Sequence, residues 1–337
     1  KEVLQTGSVI EREFSYPLIN RVTGLPEKEL LSHLAILKDS ELLYERGIYP
    51  QSTYIFKHAL TREVVYDSIL AKRKKRLHEE IGNAIEELYK DNLSDHYEVL
   101  AEQYLRGENY FKAADYCHLA TKKAEKTVSF SSAISYAEKR VSYLEKLPDG
   151  SELDRIKVDA RTSLGLYYIQ MLYHSKAKDI VEPILRLAED INYERRLTQI
   201  YTILGSYCYL VEENYDKAFR YLETSLKLAC QLGDSLSIWM AHFWLGSVFI
   251  LVCQFQKALY HFSKALEMNS AANLLWGVSV VKSMIASWVY GVHGEIDHGY
   301  RMSKEALQMA EESRDVFSRA YGYFGHGCSC YYMGFFA

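Results

Sequence analysis

Two stretches decide the fold: LGSYCYLVEENYDKAFRYLETSL, residues 204–226, and LGSVFILVCQFQKALYHFSKAL, residues 245–266. Both open on Leu-Gly, carry an Ala 12 or 13 positions after the Gly (Ala218, Ala258), and place a small residue seven further on (Ser225, Ala265). The frame also fits LGLYYIQMLYHSKAKDIVEPIL from Leu164 and ASWVYGVHGEIDHGYRMSKEAL from Ala286. Gly165, Gly205, Gly246 and Ser287 thus recur at intervals of 40, 41 and 41, and Gly327 follows another 40 on. Ala177, Gly299 and Ala306 complete the small set, with Ile184 as its exception. Small residues at fixed spacing let two antiparallel helices close on a neighbour's bulky side chains. Tyr215, Phe219, Phe255 and Tyr260 are the expected fillers. One such pair leaves its own apolar face uncovered, so pairs stack into an α-solenoid.

This Leu-Gly…Ala…Ala frame resembles the tetratricopeptide repeat, at a period longer than its usual value of roughly 34 residues. The surplus falls between copies, at AEDINYERR and QLGDSLSI, where it lengthens helices or loops.

The rest of the composition agrees with a mainly α protein. The chain has 337 residues, is 48% hydrophobic and 25% charged, and contains only five prolines. Its net charge of −4 argues against coating nucleic acid. The six cysteines show no framework spacing, which fits reduced thiols in a cytoplasmic protein. The longest uninterrupted apolar run, SVFILVC (residues 247–253), is far short of a membrane span of about 20 residues, and no membrane partner is expected. The chain opens at Lys1 and closes in YYMGFFA within a helical pattern, so a piece of a longer protein is expected, its last repeat truncated.

Residues 1–57 differ in pattern from the rest of the chain. VLQTGSVI, SYPLINRVTG and PEKELLSHLAILKDSELL predict three helices, the last with Leu30, Leu34 and Leu37 on one face. LLYERG and STYIFKH predict a two-stranded hairpin. Together they make a small winged-helix-like module. Residues 58–95 are expected to be connecting helices, 96–150 atypical first helical pairs, and 151–337 the repeats, with an exit turn at Pro148-Asp149-Gly150. Leu77, Ile81, Ile85 and Leu88 form an apolar stripe on a helix whose start is ILAKRKKRLHEE.

A second resemblance rests on YIFKHALTREVVYDSILAKRKKRLHEEIGNAIEELY, residues 54–89. It is similar to the F-x-H-A-L-x-x-E-x-x-Y-x-x-L…R-x-L-H-x-x-I-x-x-A-[IL]-E stretch of bacterial class III adenylate/guanylate cyclases that carry a central ATPase and a tetratricopeptide tail. The matching positions run from Phe56, His58, Ala59, Leu60, Glu63, Tyr66 and Leu70 to Arg76, Leu77, His78, Ile81, Ala84, Ile85 and Glu86. One departure is Glu11, where that family usually has Gly, which is expected to shift the turn after the first helix. Similar modules are fused to protein kinase or histidine kinase domains in other members of that family. The resemblance implies a winged-helix and repeat region of a large signalling ATPase, non-catalytic itself, that transmits nucleotide or partner state. ATP and Mg²⁺ would belong to an upstream module, since this chain holds no Gly-Lys pair and hence no phosphate-cradling GxxxxGK[ST] loop. The alternative is a DNA-binding regulator of the maltose-activator type, although the third predicted helix is rich in acids.

No catalytic or metal site emerges. HEEIG lacks the second His of a zinc-protease helix, and residues two apart in His326-x-Cys328-x-Cys330 diverge on a helix. A binding groove is the stronger candidate. In tetratricopeptide arrays the first helix of each pair lines the concave face. Offsets from each anchor give Met240, Phe243, Ser247, Ile250 and Leu251 in one copy and Val281, Met284, Trp288 and Val292 in the next. The preceding copy gives Gln199, Thr202, Ser206 and Tyr209. This face is expected to hold an apolar peptide or helix, from a protein partner or from the same chain. The cations Lys72, Arg73, Lys74, Lys75 and Arg76 are expected to form a solvated or inter-domain face, with nucleic acid an unlikely partner.

Overall fold

The computed structural model describes residues 1–127, 129–148 and 150–335. Its residues form two compact units that divide between Gly150 and Ser151. The expected exit turn includes Asp149, which lies outside the described residues. The expected divisions at 57 and 95 fall inside the first unit.

The first unit opens with α1 (Glu2–Ile10), β1 (Glu13–Ser15), α2 (Tyr16–Thr23) and α3 (Glu27–Asp39), followed by β2 (Leu43–Arg46) and β3 (Thr53–Phe56). The three predicted helices and the hairpin form. Sequence reading missed β1, whose three residues are too few to show a period, yet they complete an antiparallel sheet in the order β1-β3-β2. Phe14 pairs with Tyr54, and Leu43 with Phe56. All four side chains are buried on the helix-facing side of the sheet. Gly7 permits this, because a Cβ there would lie 2.7 Å from the Phe14 ring. Glu11, the C-cap of α1, adopts φ −175° and ψ −175°, extended backbone open to any residue.

Next come α4 (Ala59–Asp67) and α5 (Ala71–Leu88), separated by a break at Ser68–Leu70. Leu77, Ile81 and Ile85 are buried, but Leu88 at the end of the stripe is exposed. Beyond it lie α6 (Tyr97–Arg106), α7 (Tyr110–Lys126) and α8 (Phe130–Leu144). α6 and α7 are separate helices because Glu108 takes a left-handed φ of 60° and the Asn109 side chain caps α7 at Lys112 N, 3.2 Å away.

The second unit stacks α9 (Ser151–Gln170), α10 (His174–Asp190), α11 (Glu194–Leu210), α12 (Tyr215–Leu232), α13 (Ser235–Leu251) and α14 (Phe255–Ala271). A rod then runs through α15 (Leu275–Met284), a π-helical segment (Ile285–Tyr290) and α16 (Gly291–His293). The unit continues with α17 (Ile296–Ser313) and α18 (Val316–Tyr332). The helical pattern does not run on through residues 333–335, since α18 stops at Tyr332 and Gly334 takes φ 79°. The turns between successive helices are marked by left-handed residues at 172, 192, 213, 233, 253, 273, 294 and 314, each two positions before the next helix. The long period is therefore spent on helices of 17 to 20 residues, with turns kept short.

The glycine anchors act as expected, with different fillers. A Cβ on Gly165 would lie 2.7 Å from Val181, on Gly205 2.7 Å from Leu222, and on Gly246 2.9 Å from Phe262. These three plugs are buried, whereas Tyr260, one of the four predicted fillers, is exposed. Phe219 packs instead on Phe249, with ring centroids 4.7 Å apart. Among the described residues one helix, Leu275–His293, is long and apolar enough to cross a membrane, and more than half of it is buried within the stack as a core element.

Candidate functional site

The first helices of the pairs put their apolar faces on a common interior surface, which contains two adjoining cavities. The larger, about 490 Å³, is walled by Tyr209 and Leu210 of α11, Ser247, Ile250 and Leu251 of α13, Met284 and Trp288 of the α15 rod, and Ala320, Tyr321 and Phe324 of α18. Leu172 closes it from the α9–α10 turn. The second, about 290 Å³, lies between α9 (Leu166, Tyr167, Ile169, Gln170) and an aromatic wall of Trp239, Phe243, Trp244, Trp276 and Phe317, with Met240 and Leu236. Leu172 and Tyr321 border both cavities.

Among the described residues no charged side chain lines either cavity. The groove can thus desolvate apolar side chains, worth about 25 cal/mol per Å² removed from water, and offers little to a charged ligand. Burial pushes the Tyr209 hydroxyl well above its ordinary range, so this phenol stays neutral. Trp288 stacks on Phe324 across the larger cavity, ring centroids 6.2 Å apart at 29°.

Of the ten residues expected on the groove, Tyr209, Ser247, Ile250, Leu251, Met284 and Trp288 meet at the larger cavity, and Met240 and Phe243 at the smaller. Two do not line it. Val281 is fully buried in helix packing. Val292 is half exposed, beyond a π segment that breaks the 3.6-residue register used to place it. Gln199, Thr202 and Ser206 are also absent from both linings, because their polar groups tie helices together. Thr202 meets Ser225 at 2.9 Å and Ser206 meets His174 at 3.2 Å. Arg196, paired with Asp159 at 2.5 Å, donates to Gln199 at 2.7 Å. Tyr321 and Phe324 were missed, though a signal existed. They stand six and three positions before Gly327, as Met240 and Phe243 stand before Gly246.

The basic stretch takes a definite form. The five cations crowd the first turns of α5, where the helix dipole disfavours positive charge. Four of them meet acids: Arg73 meets Glu2 at 2.6 Å, Lys74 meets Asp67 at 3.5 Å, Lys75 meets Glu108 at 2.6 Å and Arg76 meets Glu80 at 3.2 Å. Lys74 also lies over the Tyr66 ring, 4.2 Å from its centroid. Lys72 is exposed, with no ion pair among the described residues. The stretch ties α1, α4 and the α6–α7 turn to α5.

His58 and His78, in the family-like stretch, have structural places. His78 is buried and its Nδ1 lies 2.7 Å from Gln103 Oε1, so Nδ1 carries the proton and Nε2 accepts from the Tyr66 hydroxyl at 3.0 Å. Gln103 in turn donates to the Ile10 carbonyl at 3.3 Å. Burial lowers the His78 pKa. His58 precedes α4 without a side-chain cap hydrogen bond. No group of three or more metal-type ligands occurs among the described residues. His326 and Cys330, four apart, do share a face, with Nε2 and Sγ 3.7 Å apart.

Fold and site together define a class: an α-solenoid of tetratricopeptide-like helical pairs with an apolar interior groove, joined to a small three-stranded unit. No family model and no curated protein matches the chain. Solved structures do resemble it. The Rap conjugation gene regulator of the plasmid pLS20, in complex with the Phr* peptide, is 16% identical, matches 78% of this chain to 77% of its own, and superposes with a TM-score of 0.52. A STAND signal-transduction ATPase with a tetratricopeptide repeat sensor from Pyrococcus horikoshii is 16% identical over 96% of this chain, with a TM-score of 0.45. This chain spans about half (53%) of that protein. Aspartyl phosphate phosphatase F from Bacillus subtilis is 12% identical over 89% of this chain, with a TM-score of 0.46. With the plasmid regulator the shared property is the helical-repeat fold.

Proposed function

We propose that this chain is a non-catalytic regulatory module that captures an apolar peptide or helix of a protein partner in the interior groove. The carrying observation is the pair of adjoining cavities without a charged lining residue, built from the first helices of successive pairs. That the plasmid regulator of similar fold was solved with a peptide supports this reading. The module belongs to a larger cytoplasmic signalling protein, in which residues 1–57 act as a winged-helix-like unit beside an ATPase that binds ATP and Mg²⁺. Occupancy of the groove is relayed to a cyclase or kinase output. The resemblance of residues 54–89 and the free state of all six cysteines support this wider assignment. The ion pairs of Arg73, Lys74, Lys75 and Arg76 weigh against the DNA-binding alternative, because cations already paired within the fold release fewer counterions on a phosphate backbone.

A displayed random-peptide library selected on the protein tests the groove. Enriched peptides should carry clustered apolar side chains and lose binding to Leu251→Glu, which puts a carboxylate at a half-exposed position of the larger cavity. If enriched peptides bind Leu251→Glu as well as the parent, the groove is not the site. Phe243→Ala is a poor probe, since Phe243 is 4% exposed, stacked on Trp239 and packed edge-to-face with Phe262.

A further inference from the structure

One face of α18 repeats a seat that three earlier helices fill. In each earlier case the anchor glycine is plugged by a bulky apolar residue of the following helix: Val181, Leu222 or Phe262. The residue four before the anchor touches the residue just ahead of that plug. Arg161 donates to the Ile180 carbonyl at 3.1 Å, Tyr201 stacks on Tyr221 at 5.9 Å, and His242 meets His261 at 2.9 Å. In α18 the same two positions are Gly327 and Tyr323. Among the described residues nothing lies within 4 Å of a Cβ built on Gly327, and Tyr323 is 56% exposed. A cleft of about 370 Å³ opens over the anchor, bordered by Tyr323, Phe324, Gly327, Cys328, Tyr331 and Tyr332, and Phe324 also walls the larger cavity of the groove.

We propose that this face docks one amphipathic helix with the chemistry of the chain's own second helices. It carries a bulky apolar side chain that seats on Gly327 and, one residue earlier, a side chain that packs on Tyr323. The face continues the helix-to-helix interface already formed three times in the stack, which fixes the occupant as a helix and its plug as Val, Leu or Phe. Because Tyr201 and Tyr323 are both aromatic, the Tyr221-Leu222 pair of α12 is the nearest internal template. This seat shares Phe324 with the groove, but the case for it does not depend on the function proposed for the groove.

The test uses the full chain and a synthetic peptide copying Tyr215–Leu232, labelled for fluorescence anisotropy. Saturable binding is expected, weakened by about tenfold or more when Gly327→Leu fills the seat, or when the peptide carries the equivalent of Leu222→Ala. The circular dichroism of Gly327→Leu must match the parent and its thermal midpoint must not fall below the parent's, which an exposed position allows. A peptide with Tyr221→Ala should bind with intermediate strength. Three results overturn the proposal: no binding up to about 1 mM peptide, binding indifferent to Gly327→Leu, or a parent chain that dimerises and turns monomeric on Gly327→Leu. The last would assign the seat to a second copy.

Discussion

Alanine at Gly246 and at Gly327 is one chemical change at equivalent positions of two copies, and the structure predicts opposite signs. In a helix interior Ala is better than Gly by about 1 kcal/mol. At Gly246 the added methyl would sit 2.9 to 3.0 Å from three ring atoms of Phe262, which is fully buried and unable to swing away. Overpacking of this kind costs about 1–3 kcal/mol, so Gly246→Ala should destabilise by roughly 1 kcal/mol net. At Gly327 the methyl meets no described residue within 4 Å and the propensity gain stands alone, up to about 1 kcal/mol of stabilisation. All four tryptophans (Trp239, Trp244, Trp276, Trp288) lie in the second unit, so intrinsic tryptophan fluorescence follows that unit selectively during thermal unfolding. For a unit of this size about 1 kcal/mol moves the midpoint by roughly 2–4 °C, down for Gly246→Ala and up for Gly327→Ala. Adding Phe262→Leu should cost less in the Gly246→Ala background than in the parent, because the smaller side chain relieves the clash. Equal shifts of the same sign at the two glycines would refute the plugged-anchor account.

Other outcomes can be checked by simpler means. His174 is buried against Trp244 and Ser206, and burial lowers its pKa from 6.5 to about 4. The folded chain therefore resists the proton that the unfolded chain accepts, and the associated stability is present above about pH 6.5 and lost as pH falls toward 4. His174→Phe should flatten the pH dependence of the thermal midpoint in that window, by an amount on the order of 3 kcal/mol at its acid end; an unchanged profile would show that His174 titrates normally. Gln103→Leu leaves the buried His78 Nδ1 proton without its acceptor and should cost about 1–3 kcal/mol in urea unfolding followed by far-ultraviolet circular dichroism. Lys75→Glu breaks an exposed pair with Glu108 and should change stability by no more than about 1 kcal/mol, a larger loss meaning that the basic stretch holds the unit together.

The solenoid was legible in the sequence because close helix approach forces small residues, and small residues recurring every 40 or 41 positions leave a direct trace. The same trace placed eight groove residues on two adjoining cavities, since first helices repeat their orientation toward the interior. Short β1 was invisible, as three residues carry no period and gain their partner only from β3. The identity of the plugs, Val181, Leu222 and Phe262 in place of the predicted aromatics, was settled by how deep each side chain of the second helix reaches. Val292 was misplaced because a π segment is a local change of winding that composition does not announce. Five consecutive cations drew attention as a charge run, but four of them are paired, two with the distant Glu2 and Glu108 and two with the nearby Asp67 and Glu80. Periodicity records what every copy must share; ion pairs, plugs and cavities depend on distances between residues remote in the chain, and only the folded structure sets those.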